Sequence, residues 1–525
     1  MSSMFTSLGS KENKLEVIHK DSKNLIAGDK SEYAESIFED ENVLIILRGY
    51  VLYEEIDYDL NIAKQILDLY KLRGSILFEE FSGAFNVIIF EEEKQKLTIT
   101  NDRLGMKPLY YYTDKDKFIF ASDIKTIALS NQIKKEINWR AWGDIFNYGF
   151  IVGNETPFEH ILSLPMSSTL TYEKGILEIK EYWSFNQVKI DYKQNEKETI
   201  EKGIEILKNI TKKYEKFVKY VELPLSGGYD SRCIACCLKY FSKIKFDTIT
   251  SNLHGTGDKD SIIAKELAKK LEVENVQPSD NDLYKKYFIE MVYLVNGMTF
   301  EHLWAMSLKN SLKKDTPTFD GIAADVLLPS RVFGILSQYA DKGEYNDNDI
   351  VNVFINSKKM SSNKALEAFD EKVKKHMAIE SEVFLKQIKD TIEIKHKLTF
   401  LFLNNRIRNS NSVGSNNIIG KYKKAYFFFL DNNFLEFCLA MSPKYKINIY
   451  RKILKLAFPE IMLIPTTNDL PFFSGFKKKI FHYLNNFIAN KRTIKIFNLV
   501  GINFNKYKKL KFQNKFSAFP LNKEE

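Results

Sequence analysis

The chain has 525 residues, of which 44% are hydrophobic and 14% aromatic, enough for two or three domains with large apolar cores. This composition excludes wholesale disorder, and a formal charge of +9 spread over this length permits contact with phosphates without requiring it. The stretch MSSMFTSLGSKENK lacks the apolar segment of a signal peptide, and no run approaches the ~18 apolar residues of a membrane span. We therefore expect a cytoplasmic protein without integral membrane association.

The first 185 residues predict a layered α+β domain. Short apolar runs bounded by turns or charges predict strands at Val43–Leu47, Ala84–Phe90, Leu97–Thr100 and Phe118–Ala121. Several of these runs are continuous rather than alternating, which suits a sheet covered on both faces. After the first strand, apolar residues at helical spacing predict a helix over Leu60–Lys71.

Residues 186–200 are charged and lack an apolar stripe, which predicts a linker. Beyond it, predicted helices and strands alternate: Ile200–Phe217 (helix), Tyr220–Leu225 (strand), Ser231–Tyr240 (helix), Lys245–Thr250 (strand) and Asp260–Leu271 (helix). Such alternation is typical of a parallel α/β sheet. Residues 360–460 have a mainly helical pattern.

The stretch SGGYDS, residues 226–231, stands where a predicted strand ends and a helix begins. The first N–H groups of a helix have no partner within the helix and carry positive potential. Two glycines let the backbone approach a phosphate closely, and the serine hydroxyls add donors. Asp230 would repel a phosphate directly but suits Mg²⁺ bridging to phosphate oxygens. The pattern predicts a polyphosphate site, with a tight strand–helix turn as the structural alternative.

A second acid that would complete such a metal site follows in PTFDGIAADVLLPS, residues 317–330. An apolar approach leads to an Asp-Gly turn, two alanines and then Asp325. Small residues allow close packing beside a ligand, so we expect Asp325 to share the Mg²⁺ with Asp230. A plain β-turn is the alternative here.

Together these residues resemble the asparagine synthetase family. Its mark S-G-G-x-D-S is intact at 226–231, and its mark S-G-x-G-x-D is reduced to D-G-I-A-A-D at 320–325. Residues 77–112 are similar to the L-x-G-x-F-A-F and R-D-x-x-G-x-K-P-L-Y-Y segments of that family. Residues 156–185 resemble the end of its glutaminase domain, and residues 427–446 resemble its P-F-L-D start of a helix.

The resemblance implies an α/β two-domain fold. Residues 1–185 would form a glutaminase-like (class II amidotransferase-like) domain, an N-terminal Ntn-hydrolase-like α+β sandwich, followed by the linker 186–200. Residues 201–475 would form a C-terminal ATP-pyrophosphatase domain, a parallel α/β domain of the adenine nucleotide α hydrolase-like type with a helical extension. Residues 476–525 would be a basic C-terminal extension.

The resemblance also implies ATP and Mg²⁺ as cofactors and a reaction. A carboxylate attacks the α-phosphate of ATP to give an acyl-adenylate and pyrophosphate, and an amine then displaces AMP to leave an amide. The implied catalytic residues are Asp230, Asp325 and Arg232, with both aspartates holding Mg²⁺. Arg232 would reach phosphate or the acyl group, unless it forms a salt bridge on the helix surface. The implied ATP-binding residues are Leu225, Ser226, Gly227, Gly228, Asp230, Ser231, Ser251, Asp320 and Gly321.

Two departures from the family pattern concern glutamine. Members that use glutamine begin Met-Cys, whereas this sequence begins Met1-Ser2-Ser3 and has no cysteine before Cys233. The glutamine-binding Asn-Gly-Glu is replaced by Arg48-Gly49-Tyr50. A hydroxyl is a far weaker nucleophile than a thiolate. We therefore expect a domain that does not hydrolyse glutamine, whose retained NDRLGMKPLYYY segment packs the sheet or docks the second half.

Two further departures concern the amine. Where asparagine synthetases have Glu and β-lactam synthetases have Tyr, this chain has Ile322, and the family's lysine is missing from IPTTNDLPFF, residues 464–473. The main hypothesis is an ATP-dependent carboxylate–amine ligase that works without glutamine. The alternatives are a ring-closing amide synthetase, of the lasso-peptide cyclase or β-lactam synthetase type, and a nucleotide-binding pseudoenzyme scaffold.

The expected partners are a small-molecule or peptide carboxylate and an amine, either ammonia or an amine of the substrate. No nucleic-acid motif is present, and a homodimer or a partner protein is left open. The basic, aromatic segment from Phe476 onward is either a solvated helix or a surface for an acidic partner.

Three groups of side chains complete the sequence-based candidates. Cys233, Cys236 and Cys237 are expected to be buried core thiols rather than zinc ligands. Glu301 and His302 belong either to the acceptor pocket or to a helix at the core edge. His254 and Asp258 follow the second parallel strand, either at a ligand-binding sheet edge or in an ordinary loop.

Overall fold

The computed structural model describes residues 4–8, 16–20, 24–28, 36–40, 42–115, 117–130, 133–251, 259–278, 283–309, 311–313, 316–328, 346–358, 381–388, 393–421 and 423–467. The chain divides into two compact units, residues 1–465 and 466–525, and the description below concerns the first. The basic extension from residue 476, His254 and Asp258 lie outside the described residues.

The strands, in chain order, are β1 (Met4–Leu8), β2 (Glu16–Lys20), β3 (Asn24–Gly28), β4 (Ile37–Asp40), β5 (Val43–Leu52), β6 (Ser82–Glu91), β7 (Lys96–Asn101), β8 (Tyr110–Thr113), β9 (Phe118–Ala121), β10 (Ile161–Ser163), β11 (Ser168–Glu173), β12 (Ile176–Glu181), β13 (Tyr220–Pro224), β14 (Lys245–Ile249), β15 (Asn275–Val276), β16 (Thr318–Asp320) and β17 (Ala425–Phe427). The α-helices are α1 (Ile62–Arg73), α2 (Leu77–Glu80), α3 (Ile124–Ala128), α4 (Trp139–Tyr148), α5 (Glu196–Glu215), α6 (Tyr229–Phe241), α7 (Lys259–Leu271), α8 (Leu283–Leu294), α9 (Leu303–Leu308), α10 (Ala324–Leu327), α11 (Asp347–Lys358), α12 (Ser381–Ile388), α13 (Ile394–Leu401), α14 (Asn432–Ala440) and α15 (Pro443–Ala457). Two π-helical segments, Phe402–Ser412 and Ser415–Ile419, follow α13.

Two six-stranded sheets form the first half of the chain. Their strand orders are β10-β8-β9-β1-β3-β2 and β12-β11-β7-β6-β5-β4. Apolar side chains of both sheets, including Ile46, Ile99, Phe118 and Phe120, make one core between them. Helices α1 and α2 cover the outer face of the second sheet, and α3, α4, α8 and α9 cover that of the first. The predicted layered α+β arrangement is therefore confirmed, with four layers.

Parallel strands form the second half. Strand β14 lies between β13 and β15 in one parallel sheet, and β16 pairs in parallel with β17. The Glu222 N–H donates to the Pro317 carbonyl (3.0 Å) and the Thr318 hydroxyl donates to the Glu222 carbonyl (2.7 Å), which puts β16 beside β13. The predicted parallel α/β pattern is confirmed across these strands.

Helix α5 begins four residues before its predicted start. Asn195 caps it, with its side chain accepting from the Lys197 N–H (2.9 Å), and Glu196 and Glu198 complement the positive helix N-terminus. The first turn is therefore stabilised by a cap and charge rather than by apolar packing, which is why an apolar stripe did not reveal it. The predicted domain limits themselves stay predictions.

Hydrogen bonds join the two halves within the first unit. The Tyr50 hydroxyl lies 3.1 Å from the Tyr214 hydroxyl and accepts from the Phe427 N–H (2.7 Å). From the NDRLGMKPLYYY segment, Arg103 Nη1 binds Glu436 Oε1 (2.7 Å), and the Met106 carbonyl accepts from Asn416 (2.9 Å). The retained segment thus docks the second half, which is one of the two structural roles expected for it.

The thiols of Cys233, Cys236 and Cys237 are buried and free, as expected for core cysteines, and Cys438 is buried as well. Within the described ranges, no helix combines the length and the apolar character needed to cross a bilayer.

Candidate active site

The SGGYDS loop connects β13 to α6 with its serines folded inward. The Ser226 N–H donates to Ser231 Oγ (3.0 Å), and the Gly228 N–H donates to Ser226 Oγ (3.2 Å). Gly228 is the N-cap residue of α6, and no side chain caps the helix there. The hydroxyls shape the turn, while the first amides of α6 keep the donor arrangement that suits an anion.

Asp260 is a loop partner that the sequence did not reveal. It stands in the first turn of α7, and its Oδ1 accepts from the Gly227 N–H at 2.8 Å. A carboxylate oxygen thus binds one of the amides predicted to hold a phosphate oxygen, so this amide can bind an anion. The sequence did contain a usable signal, since an acid stands at the start of the helix after the next parallel strand. The starts of these two helices meet at the same edge of the sheet.

The structure brings Asp230 together with the 320–325 segment. A side chain at Gly321 would put its Cβ 2.8 Å from the Cβ of Asp230. Packing around the Asp230 carboxyl raises its pKa well above the usual value, and the negative charges of Asp325 and then Asp320 add to the rise. The Tyr450 hydroxyl beside it acts in the opposite direction. Gly321 is therefore required by close approach, and the two predicted acids lie within electrostatic reach.

Backbone strain precedes Asp325. Ala323 has φ +76°, in the left-handed region that non-glycine residues rarely adopt, and α10 begins at the next residue. Asp325 is exposed in the first turn of this helix, while its neighbours on either side are buried. The turn thus presents a solvated carboxylate whose negative charge acts on Asp230.

Asp320 is held differently from the other two acids. Burial raises its pKa to about 6, while Ser415 and the backbone N–H groups of Ile322 and Gly321 act in the opposite direction. These groups lie on its own turn and on the second π-helical segment. Its negative charge still contributes to the field at Asp230.

The donor set fits Mg²⁺ bound together with phosphates. In the part of the chain that the structure describes, no three His, Cys, Asp or Glu residues form a metal cage. Mg²⁺ usually takes one or two carboxylates and completes its shell with phosphate oxygens and water. Asp230 and Asp325 supply two carboxylates whose mutual repulsion a cation would relieve.

Arg232 is buried with 1% of its surface exposed. Its guanidinium donates to the carbonyls of Ile464 (2.6 Å) and Pro465 (2.7 Å). The alternative of a salt bridge on the helix surface is therefore wrong, because the side chain turns inward to carbonyl acceptors. Its contact with phosphate or acyl group stays a prediction, and the observed contacts tie the start of α6 to residues 464–465.

The predicted nucleoside contacts lie at the ends of β13 and β14. Leu225 is buried in the core, and its N–H donates to the Ile249 carbonyl (2.8 Å). The Ser251 hydroxyl lies 2.7 Å from the Ser307 hydroxyl and donates to the Trp304 carbonyl (3.2 Å). Ser251 thereby links this sheet edge to α9.

A buried polar cluster surrounds Glu301 and His302. Trp304 Nε1 donates to His302 Nδ1 (3.2 Å), so the other ring nitrogen carries hydrogen and donates to Ser410 Oγ (3.1 Å). Ser410 in turn donates to Glu301 Oε2 (2.9 Å), which also accepts from Arg406 (3.1 Å). Burial lowers the pKa of His302 to about 4, which makes the ring neutral. This network ties the start of α9 to the first π-helical segment, and a place for the pair in the acceptor pocket stays a prediction.

In the first half, Arg48 occupies the position expected to bind glutamine. Its Nη1 donates to the Pro108 carbonyl (2.7 Å) and to Asn86 Oδ1 (3.1 Å), and the residue is buried. The neighbouring Asp102 carboxylate accepts from the N–H groups of Phe85, Leu104, Met106 and Lys107. The polar groups of Arg48 and Asp102 thus form hydrogen bonds with the backbone of the protein itself.

Two protein-family models match the chain. The model described as a glutamine amidotransferase domain matches residues 63–183, and the model described as asparagine synthase matches residues 219–309. The two domains follow each other in the order in which the two-sheet and parallel-sheet halves occur.

Curated relatives of this chain include two asparagine synthetases. A putative glutamine-hydrolysing asparagine synthetase 2 of Methanocaldococcus jannaschii is 29% identical over 44% of this chain and 47% of its own length. Glutamine-hydrolysing asparagine synthetase 2 of Bacillus subtilis is 29% identical over 46% of this chain and 34% of its own length. The matches thus span less than half the length of these relatives. The B. subtilis glutamine PRPP amidotransferase structure, complexed with ADP and GMP, matches with a TM-score of 0.17, 8% identity, and coverage of 56% of this chain and 59% of that chain, which carries no argument about fold.

The two domain matches and the curated relatives agree with the motifs at 226–231 and 320–325. Together they support the asparagine synthetase family as the family that this chain resembles.

Proposed function

We propose that this protein is an ATP-dependent ligase that joins a carboxylate to an amine through an acyl-adenylate, with release of pyrophosphate and AMP. The observation that carries the proposal is the close approach of Asp230 to Gly321, which sets two acids beside a glycine-rich helix start. The N-terminal Ntn-hydrolase-like sandwich and the C-terminal ATP-pyrophosphatase-type domain are part of the same proposal.

Each part of the site has a role in the first step. The amides of Gly227 and Gly228 and the start of α6 bind phosphate oxygens, with Asp260 leaving the Gly227 amide when ATP arrives. Asp230 and Asp325 hold Mg²⁺, which supplies charge neutralisation on the phosphates. Leu225 and Ser251 border the nucleoside at the strand ends. Arg232 positions the loop through its carbonyl contacts.

The reaction proceeds without glutamine hydrolysis in this proposal. Arg48 fills the strand position where the family pattern has asparagine, and its guanidinium is already bonded to Pro108 and Asn86. Tyr50, where the pattern has glutamate, directs its hydroxyl to Phe427 and Tyr214 of the second half. Incubation with glutamine is expected to release no glutamate above a protein-free control, and stoichiometric release would contradict this part.

Pyrophosphate release tests the ligase directly. The protein is incubated with ATP and MgCl₂, with L-aspartate, L-glutamate, succinate and β-alanine as carboxylates, and with ammonium chloride or glucosamine as amines. We expect carboxylate-dependent pyrophosphate that is lost in Asp230→Ala and kept in Asp59→Ala, a change of an exposed acid in the first half. Absence of release with every carboxylate would contradict the ligase and favour a nucleotide-binding scaffold.

A further inference from the structure

Tyr50 is a buried residue of the first half that binds a strand next to the candidate site. It lies in β5, at the position where the family pattern has glutamate. Its hydroxyl accepts from the Phe427 N–H at 2.7 Å and donates to the Phe427 carbonyl at 3.2 Å. The proposed reaction gives this hydroxyl no chemical step, so its bonds serve the backbone of the second half.

The ring of Tyr50 is closely packed on several sides. A Cβ added to Gly83, which has φ +117°, would come 3.2 Å from Cε2 of this ring. The ring meets that of Tyr426 edge to face, with centroids 4.9 Å apart, and the Tyr214 hydroxyl lies 3.1 Å from its own. A side chain packed in this way presents its hydroxyl at one place.

Strand β17 is bound along both of its edges. On one edge it pairs with β16, and the Phe428 N–H donates to the Asp320 carbonyl (3.1 Å). Successive residues of a strand direct their backbone groups to opposite edges, so the N–H and carbonyl of Phe427 point away from β16. Among the described strands, none pairs with β17 on that side. The hydroxyls of Tyr50 and Tyr214 bind these groups instead.

Strand β16 connects this contact to the candidate site. Asp320 is its last residue, and the next residue is Gly321, where a Cβ would lie 2.8 Å from the Cβ of Asp230. Both β16 and β17 have only three residues. Strands this short gain much of their stability from the groups bound along their edges. A movement of β17 away from Tyr50 would therefore move Gly321 relative to Asp230.

We propose that Tyr50 is a positioning residue for the magnesium site. Its hydroxyl fixes β17, and through the β16–β17 pair it fixes the turn that brings Gly321 against Asp230. The first half of the chain thereby contributes to nucleotide binding through the strand position that the family pattern reserves for glutamine. This inference rests on the proposed function and adds to it a role for the first half.

Tyr50→Phe tests the role, because it keeps the ring and leaves the Phe427 N–H without its acceptor. Isothermal titration calorimetry with ATP is performed with and without MgCl₂, well below the thermal midpoint of each protein. A loss of stability alone would leave the dissociation constant unchanged there, since nearly all of the protein stays folded. We expect the Kd with magnesium to rise about fivefold, a usual size for coupling through packed groups. The Kd without magnesium should stay as in wild type.

Tyr214→Phe is the matched control. It removes the other hydroxyl bound to the Phe427 carbonyl (3.0 Å), but the Phe427 N–H keeps Tyr50 as its acceptor. Its Kd with magnesium should therefore stay within about twofold of wild type. An unchanged Kd in Tyr50→Phe, equal losses in the two variants, or an equal loss with and without magnesium would overturn the role of Tyr50. So would wild-type protein that does not bind ATP with magnesium.

Failure of the proposed function is seen separately from failure of this inference. Wild-type protein that binds ATP with magnesium but releases no pyrophosphate with any of the four carboxylates named above would contradict the ligase. The comparison of Tyr50→Phe with Tyr214→Phe depends only on binding, so it still decides whether Tyr50 positions the site.

Discussion

At the scale of single residues, the candidate site is a group of ionisable side chains in surroundings that oppose their ordinary charge. The pKa of Asp230 is raised well above its usual value, that of Asp320 is raised to about 6, and that of His302 is lowered to about 4. Such groups cost folding stability, so they concentrate where a ligand or a reaction uses them.

Removing the Asp230 charge should stabilise the ligand-free protein. A carboxyl with a raised folded pKa binds protons more readily in the native state, so its contribution falls as pH rises from the unfolded value through the folded one. At neutral pH, Asp230→Asn should therefore raise the thermal midpoint by about 2 °C. Differential scanning fluorimetry without nucleotide measures this. Asp59→Asn should not move the midpoint, and a lower midpoint for Asp230→Asn would contradict the repulsion.

His302 should make stability sensitive to acid. Its folded pKa of about 4 lies below its ordinary 6.5, so the stability it contributes is present above that ordinary value and is lost as pH falls toward the folded one. By about pH 5, wild type should lose about 2 kcal/mol more unfolding free energy than His302→Gln. Urea unfolding of both proteins at neutral and acidic pH measures the difference. Parallel pH dependences would contradict a buried neutral ring.

At the scale of elements, the site depends on how closely β16 and its following turn approach the start of α6. A Cβ at position 321 would lie 2.8 Å from the Cβ of Asp230 and would push that carboxylate away from the loop. The turn after β16 is short and strained at Ala323, so it has little freedom to retreat. One methyl group added at position 321 should therefore disturb the positions of bound magnesium and phosphate.

Gly321→Ala should weaken Mg·ATP binding by about tenfold or more, because the metal ligand is displaced while the fold persists. Fluorescent-nucleotide competition measures the affinity. Gly175→Ala is the control for backbone strain. Its φ is +85°, but it lies in the β11–β12 turn, where a Cβ meets no atom within 4 Å, so the affinity should stay unchanged. An unchanged affinity in Gly321→Ala would show that nucleotide does not depend on this approach.

The sequence predicted elements better than side-chain partners. The strand Phe118–Ala121 and the helix after the SGGYDS loop were found within two residues, because apolar runs and the glycine pair are local signals. Asp260 was missed because its importance depends on a distant segment. Its carboxylate meets the Gly227 amide only in the folded chain.

At the scale of the whole molecule, the two halves of the first unit share polar contacts as well as core. Arg408 of the second half is 3% exposed and binds Asn154 (2.7 Å), the Ser163 hydroxyl (2.8 Å) and the Leu164 carbonyl (2.7 Å) of the first. The bonds to Ser163 and Leu164 are buried and the bond to Asn154 is partly buried, and all three join residues far apart in the sequence. The first half is therefore part of the structure that supports the candidate site.

Arg408→Lys should destabilise both halves together. A lysine cannot serve three acceptors in the geometry of a guanidinium, so buried oxygens lose partners at a cost of about 2–4 kcal/mol. Calorimetry should show one transition, shifted downward, with loss of both halves at the same temperature. Arg451→Lys, at an exposed site of α15, should leave the transition temperature unchanged. Two separate transitions, only one of them shifted, would contradict the coupling.

Binding of ATP measured by isothermal titration calorimetry, with and without MgCl₂, tests the central claim most directly. Wild-type protein should bind ATP with magnesium and more weakly without it, and Asp230→Asn should lose about tenfold or more in affinity and most of the magnesium dependence. Equal affinity in wild type and Asp230→Asn, or no binding by wild type, would contradict a nucleotide site built on the 226–231 loop.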